Sequence, residues 1–291
     1  MLRRPFGPPQ FVNFIYNSQS MKSLFTLLLT ISISLSAFAA SVDTVLVESP
    51  SMKRAIKCVV ITPSTGLQNK TKKFPTTYLL HGYGGWYANW IIRVPDLKEQ
   101  ADLYQMIIVC PDGKNNWYLD SPVNDSIKFE TFVGVELPAF IDAHYPTIAN
   151  RKARAITGLS MGGHGGLYLG FRHANTFGAC GSMSGAADIR PFKKNWELAS
   201  IVGDTVNHLD NWEKYSVINV IENKPTDALA IIIDCGTEDF FYEVNKQLHE
   251  KLLSLKIKHD FIVRPGKHEW LYWKNSIRYQ LLFFSDYFNK P

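Results

Sequence analysis

The chain has 291 residues, 46% of them hydrophobic and 13% aromatic, which is enough to bury a large core and too apolar for a disordered chain. It carries 31 basic and 26 acidic residues; Arg3, Arg4 and Lys22 precede residue 40 and no acid does, so 28 basic against 26 acidic remain beyond it. So even a balance excludes an electrostatic footprint for nucleic acid or an anionic membrane, and the scattered lysines read as a solvated surface.

The first predicted element is a leader. Met21-Lys22 precede an apolar run from Leu24 to Phe38 that ends in Ala37-Phe38-Ala39. A positive start, a short apolar stretch and an A-x-A site make residues 21–39 a secretory signal peptide, whereas a membrane span needs about 20 apolar residues. Met21 is then the expected start, with residues 1–20 an upstream extension. No cysteine follows the small residues, which argues against a lipid anchor. The mature protein is expected to be exported, periplasmic or secreted, without stable membrane insertion. Beyond the leader no repeat, low-complexity tract or linker interrupts the chain, so residues 40–291 read as a single domain.

Apolar runs rich in β-branched residues predict strands over 55–62, 76–80, 106–110, 153–157, 179–184, 228–235 and 260–263. Most are continuous rather than alternating, as in strands buried on both faces. Helical patterns fall between them, over 95–104, 131–145, 162–173, 238–255 and 270–288, with Pro95 suited to a first helical turn. Strands alternating with helices imply crossover units and a mainly parallel sheet, an α/β fold with helices on both faces. Several strands run straight into Gly-containing or acidic turns: His81-Gly82, Pro111-Asp112-Gly113, Gly158-Leu159-Ser160 and Gly236-Thr237. In open α/β sheets such turns, at the carboxyl ends of the strands, line one ligand crevice.

One of these turns carries the chemistry. Ala155-Ile156-Thr157-Gly158-Leu159-Ser160-Met161-Gly162-Gly163 is a strand entering G-x-S-x-G and then a helix, the context of a nucleophile elbow. The flanking glycines relieve crowding on a strained turn, and the helix start points free amides and a partial positive charge toward a developing oxyanion. G-x-S-x-G alone arises by chance in roughly one chain in ten of this length, so its weight comes from the strand before and the helix after.

A serine hydroxyl needs a base and an orienting acid, which in this architecture follow it in the order acid, then His. One strand ends in Gly236-Thr237-Glu238-Asp239 and the next in Lys267-His268-Glu269-Trp270. Asp239 and His268 are therefore the expected partners of Ser160; Asp234 lies inside its strand and Glu238 one residue early. The loop His81-Gly82-Tyr83-Gly84-Gly85 follows a strand where such enzymes donate an oxyanion amide, which assigns the backbone N–H groups of Tyr83 and Met161 to that role. Trp86, Trp90, Trp117 and Tyr118 cluster in the surrounding loops, where they either stack on a sugar or phenolic acyl group or pack beneath the loops.

His81 falls in the oxyanion-type loop and His164 on the nucleophile helix. His144, His173, His208, His249 and His259 read as structural or solvent-facing, and no second ligand stands at metal spacing. Cys58, Cys110, Cys180 and Cys235 lie in or beside apolar runs without C-x-x-C spacing and read as buried small hydrophobes.

The pattern resembles the esterase D-like branch of α/β-hydrolases, which includes feruloyl and acetylxylan esterases, S-formylglutathione hydrolases and mycolyltransferases. The likeness spans about residues 45–288. It rests on Leu79-Leu80-His81-Gly82-Tyr83-Gly84-Gly85, Trp117-Tyr118-Leu119-Asp120-Ser121-Pro122, Glu130-Thr131-Phe132 with Glu136-Leu137, Gly158 to Gly163, Gly236-Thr237-Glu238-Asp239 and His268-Glu269-Trp270. It is nearest to secreted bacterial polysaccharide esterases, whose nucleophile, acid and base fall on Ser160, Asp239 and His268. The resemblance implies a strand order that sets Cys58 beside Cys110 and Cys180 beside Cys235; cysteines on adjacent parallel strands seldom meet bridging geometry, so free thiols are expected. It also implies hydrolysis of a carboxylic ester through an acyl-enzyme, on an acetylated or feruloylated plant polysaccharide or its fragments, without metal or organic cofactor. Its rivals are an acyltransferase or thioesterase of the same family, and an inactive scaffold that binds carbohydrate.

Overall fold

Every strand that the apolar runs predict belongs to one sheet. The computed structural model describes Gly7 and residues 39–69, 71–223 and 229–290; the proposed extension and all of the leader but its last residue lie outside that range, Gly7 apart. From Ala39 onward the chain forms one compact unit. The eight strands are β1 (Ser41–Ser49), β2 (Arg54–Thr62), β3 (Thr76–Leu80), β4 (Ile107–Pro111), β5 (Arg154–Gly158), β6 (Ala179–Met183), β7 (Ala230–Gly236) and β8 (Asp260–Arg264), in the order β1-β2-β4-β3-β5-β6-β7-β8. β1 pairs with β2 and β2 with β4 antiparallel, and every other pairing is parallel. The strand that leads to Ser160, β5, is thus central, and the six mutually parallel strands β3 to β8 deliver their carboxyl ends to one edge.

Side chains alternate between two cores, one on each face of the sheet. Cys58, Val60, Tyr78, Leu80, Ile107, Val109 and Ile156 point into one; Val59, Ile61, Leu79, Ile108 and Cys110 point into the other. Six helices concern the site: α1 (Asn89–Arg93), α2 (Leu97–Tyr104), α3 (Leu137–His144), α4 (Met161–Arg172), α5 (Tyr242–Ser254) and α6 (Trp270–Phe288). α3, α4 and α5 fill the first core through residues such as Leu137, Leu167 and Leu248, while α2 and α6 close the second through Leu97, Ala101, Ile277 and Leu281. Among the described residues no helix is long and apolar enough to cross a membrane.

Four expectations need correction. β1 was not anticipated, because at the sheet margin half its residues face solvent and its apolar pattern is diluted. The helix expected over 131–145 has a π-helical turn at Phe132–Glu136, where the Leu137 amide reaches back five residues to the Phe132 carbonyl. The helix expected from Glu238 begins at Tyr242, since residues 237–241 are spent on a turn described below. The cysteine neighbours also differ: β2 and β4 are antiparallel, Val59 rather than Cys58 stands opposite Cys110, and Cys180 stands opposite Ile231. Cys58 and Cys110 point to opposite faces, and all four thiols are free and buried.

Candidate active site

Ser160 occupies the turn between β5 and α4 at φ 54° and ψ −118°, a conformation that only a surrounding structure can hold in a residue with a Cβ. Two bonds from neighbouring strands hold it: the Ser160 amide donates to the Met183 carbonyl at 2.9 Å and the Leu159 amide to the Leu80 carbonyl at 3.3 Å. The turn is tight enough that a Cβ on Gly158 would lie 2.6 Å from the Gly162 carbonyl oxygen, and one on Gly162 2.6 Å from that of His81. This crowding is the local reason for the glycines of G-x-S-x-G.

The turns after β7 and β8 bring the acid and the histidine to the same edge. They are zipped together, the Glu238 amide donating to the Gly266 carbonyl and the Thr237 amide to the Arg264 carbonyl, both at 2.9 Å. Asp239 is buried, with Oδ1 accepting the Phe241 amide at 2.8 Å. His268 Nδ1 lies 3.0 and 2.9 Å from the two Asp239 oxygens, and its Nε2 lies 2.8 Å from Ser160 Oγ. Nδ1–H therefore donates to the carboxylate, which leaves Nε2 to accept the serine hydroxyl. The other two acids stand elsewhere: Asp234 is buried and taken by Arg264 and by the Tyr272 hydroxyl, and Glu238 is exposed near Lys267.

The loop after β3 faces this chain of hydrogen bonds. His81 fastens it, with Nδ1 2.8 Å from the Gly82 carbonyl and Nε2 accepting the Gly113 amide at 2.8 Å. The Tyr118 hydroxyl accepts from the His81 amide at 3.0 Å and donates to the His81 carbonyl at 3.1 Å. Gly84 N–H donates to Asn115 Oδ1. Among the described residues the amides of Tyr83 and Met161 find no protein acceptor, while the next helix amide, Gly162, is taken by the Leu159 carbonyl at 2.7 Å.

A cavity of about 310 Å³ opens over Ser160 and His268, walled by Tyr83, Asn89, Arg93, Trp196, Phe240, Trp270 and Trp273. The aromatic wall is mostly one that the sequence reading missed. Trp196 stacks on Phe240, and Phe240 and Trp273 lie 4.2 and 4.9 Å from the His268 ring. Phe240 and Trp270 adjoin the acid and histidine motifs, which was a usable signal; Trp196 had none, since it arrives from a segment without a motif.

Of the four loop aromatics left between substrate stacking and packing beneath the loops, three take the packing role. Trp90 is fully buried and donates its indole N–H to the Leu80 carbonyl at 3.0 Å. Trp117 is buried against His164, and Tyr118 is buried beneath the His81 loop. Large rings next to a crevice are drawn under its loops because their burial stabilises the loops more than solvent contact does. Trp86 is 43% exposed but faces a neighbouring depression with Leu46, Lys57, Tyr87 and Lys114. Among the described residues no cluster of three or more His, Cys, Asp or Glu suits a metal ion.

Residues 49–284 match the family described as "Putative esterase". Among characterised relatives, the chain is 27% identical to an acetyl esterase of Caldicellulosiruptor saccharolyticus across 71% of this chain and 82% of that protein. It is 22% identical to the S-formylglutathione hydrolase of Bos taurus across 71% and 78%. A solved ferulic acid esterase superposes with a TM-score of 0.75 at 28% identity, over 87% of this chain and all of the other. With an α/β-hydrolase sheet and a family match over most of its length, the chain belongs to this esterase family and is a carboxylic ester hydrolase.

Proposed function

We propose that Ser160 is the nucleophile of an acyl-enzyme mechanism, and that the observation carrying this reading is the hydrogen-bonded chain Asp239–His268–Ser160 at the floor of the cavity. Ser160 Oγ attacks the ester carbonyl carbon as His268 Nε2 takes its proton. Asp239 holds the ring in the Nδ1–H tautomer and stabilises the imidazolium that forms. The unengaged amides of Tyr83 and Met161 receive the negative oxygen of the tetrahedral intermediate, each such donor being worth about 10²- to 10³-fold in rate. Collapse expels the alcohol, which leaves with the proton from His268. Water then attacks the acyl-serine by the same route and frees the acid.

The substrate class we propose is an acetyl or feruloyl ester of a plant polysaccharide or oligosaccharide. Support comes from the aromatic residues Trp196, Phe240 and Trp270 in the cavity wall, which suit contact with a sugar or a phenolic acid, and from the likeness to an acetyl esterase and a ferulic acid esterase. Export through residues 21–39 belongs to the same proposal, because a polymeric substrate lies outside the cell.

Turnover of p-nitrophenyl acetate and methyl ferulate by the wild type and by Ser160→Ala tests the mechanism. The variant is expected to lose at least about 10³-fold in kcat, and a fluorophosphonate is expected to label Ser160 alone, with labelling lost in His268→Ala. Undiminished turnover by Ser160→Ala, or labelling at a different serine, would refute the assignment; the ratio of the two esters reports the acyl preference.

A further inference from the structure

We propose that Arg93 makes this site selective for esters carrying a carboxylate, a specificity that rests on the ester-hydrolase reading above. Of the residues that wall the cavity, Arg93 alone carries a permanent charge. Among the described residues it has no carboxylate partner, whereas Arg154, Arg172, Arg190, Arg264 and Arg278 are each paired with one. Its guanidinium instead stands over the ring of Trp270, 5.9 Å from the centroid. That ring is itself fixed edge-on against the buried Trp90 at 5.2 Å and against Trp273 at 5.6 Å. The backbone beneath is anchored too, because Arg93 ends α1 and the next residue, Val94, is buried in the second core.

The acids nearby do not cancel this charge. Asp239 lies buried beneath His268, and Glu197 accepts the Tyr83 hydroxyl at 2.9 Å from the Trp196 side of the cavity. Glu269, beside His268 in the chain, faces a different depression with Arg264 and Leu271. A guanidinium lying over an aromatic ring spends none of its N–H donors on a carboxylate, and its planar fork matches the two oxygens of one. A substrate anion placed there gains a charge-assisted bond without displacing a protein partner. The carboxylate belongs either to a uronic-acid alcohol or to a dicarboxylic acyl group, and matched esters separate the two.

The experiment measures kcat/KM for two pairs of esters with the wild type and Arg93→Gln. One pair is an O-acetylated methyl glucuronoside and the corresponding methyl glucoside; the other is mono-p-nitrophenyl adipate and p-nitrophenyl hexanoate. The wild type is expected to prefer the anionic member of one pair, and Arg93→Gln to lower that anionic-to-neutral ratio about 5- to 10-fold, as for loss of one charge-assisted bond. The pair affected tells which side of the ester carries the charge. In the wild type the preference is also expected to shrink between 20 mM and 500 mM NaCl, because an exposed cation is screened. A ratio that Arg93→Gln leaves unchanged in both pairs, or a wild type with no anionic preference in either, overturns the proposal. Neither result touches the mechanism, which Ser160→Ala tests separately.

Discussion

Ser160, Asp239 and His268 stand at strand ends, which is why three residues scattered over more than a hundred positions are legible in the sequence. Ser160 and Asp239 follow runs buried in the sheet, His268 follows the partly exposed edge strand β8, and the parallel order brings the three exits together. The role of Tyr118 is not legible in that way, because an aromatic beside a crevice motif can face either the ligand or the core, and only packing decides. Here both hydrogen bonds of its hydroxyl go to the backbone of His81, at the root of the loop that carries Tyr83. Tyr118→Phe keeps the ring but leaves the buried His81 amide without its acceptor. A loss of about 1–3 kcal/mol is expected in urea unfolding, the usual cost of an unsatisfied buried donor. Because the loop is then less well fixed, kcat on p-nitrophenyl acetate is expected to fall about 10-fold, within the range that small displacements of positioning groups produce. An unchanged urea midpoint would show that the Tyr118 hydroxyl does not anchor the loop.

At the scale of elements, the helix after Ser160 is the one whose propensity argues against it. α4 opens Met161-Gly162-Gly163-His164-Gly165-Gly166, and each glycine inside a helix costs about 1 kcal/mol relative to alanine. The helix nevertheless forms because the glycines let it lie against the sheet. A Cβ on Gly166 would stand 2.5 Å from the Gly181 carbonyl oxygen and 3.0 Å from the Thr157 Cα, and neither backbone atom can yield without moving a central strand. Gly166→Ala therefore gains about 1 kcal/mol of helix propensity and meets an overpacking penalty of about 1–3 kcal/mol. The net expectation is destabilisation, read as a lower midpoint in denaturant; a stabilised variant would mean that the strands give way more easily than their hydrogen bonds suggest. The same competition of local preference with close packing explains the elements that the sequence hides. The start of α5 is displaced to Tyr242 because Glu238 donates its amide to the histidine loop and the Asp239 side chain receives that of Phe241.

For the whole molecule, the α/β class is readable from the alternation of buried strands and amphipathic helices, but the strand order is not, since it depends on where each crossover lands. The antiparallel β1 and β2 lie beyond what periodicity carries for the same reason. One buried histidine ties this assembly to pH. His164 sits on α4 with its ring between Trp117 and Tyr168, and its Nε2 lies 2.9 Å from the Tyr215 carbonyl, so it joins three distant parts of the chain. Burial lowers its pKa, the Tyr215 and Trp117 carbonyls work in the opposite direction, and the outcome is a value of about 4. The unfolded chain takes up this proton near pH 6.5, so between those values the unfolded state binds more protons and is favoured as pH falls. The contribution of His164 is therefore fully present above pH 6.5 and is lost progressively toward pH 4, with about 2 kcal/mol disappearing between pH 7 and pH 5. Equilibrium unfolding of the wild type and His164→Gln at both pH values isolates this contribution, because every other titrating group is common to the two proteins. The stability difference between them is expected to shift by that amount in favour of the variant at pH 5; a difference that stays constant would mean that the ring accepts its proton inside the fold as readily as outside it.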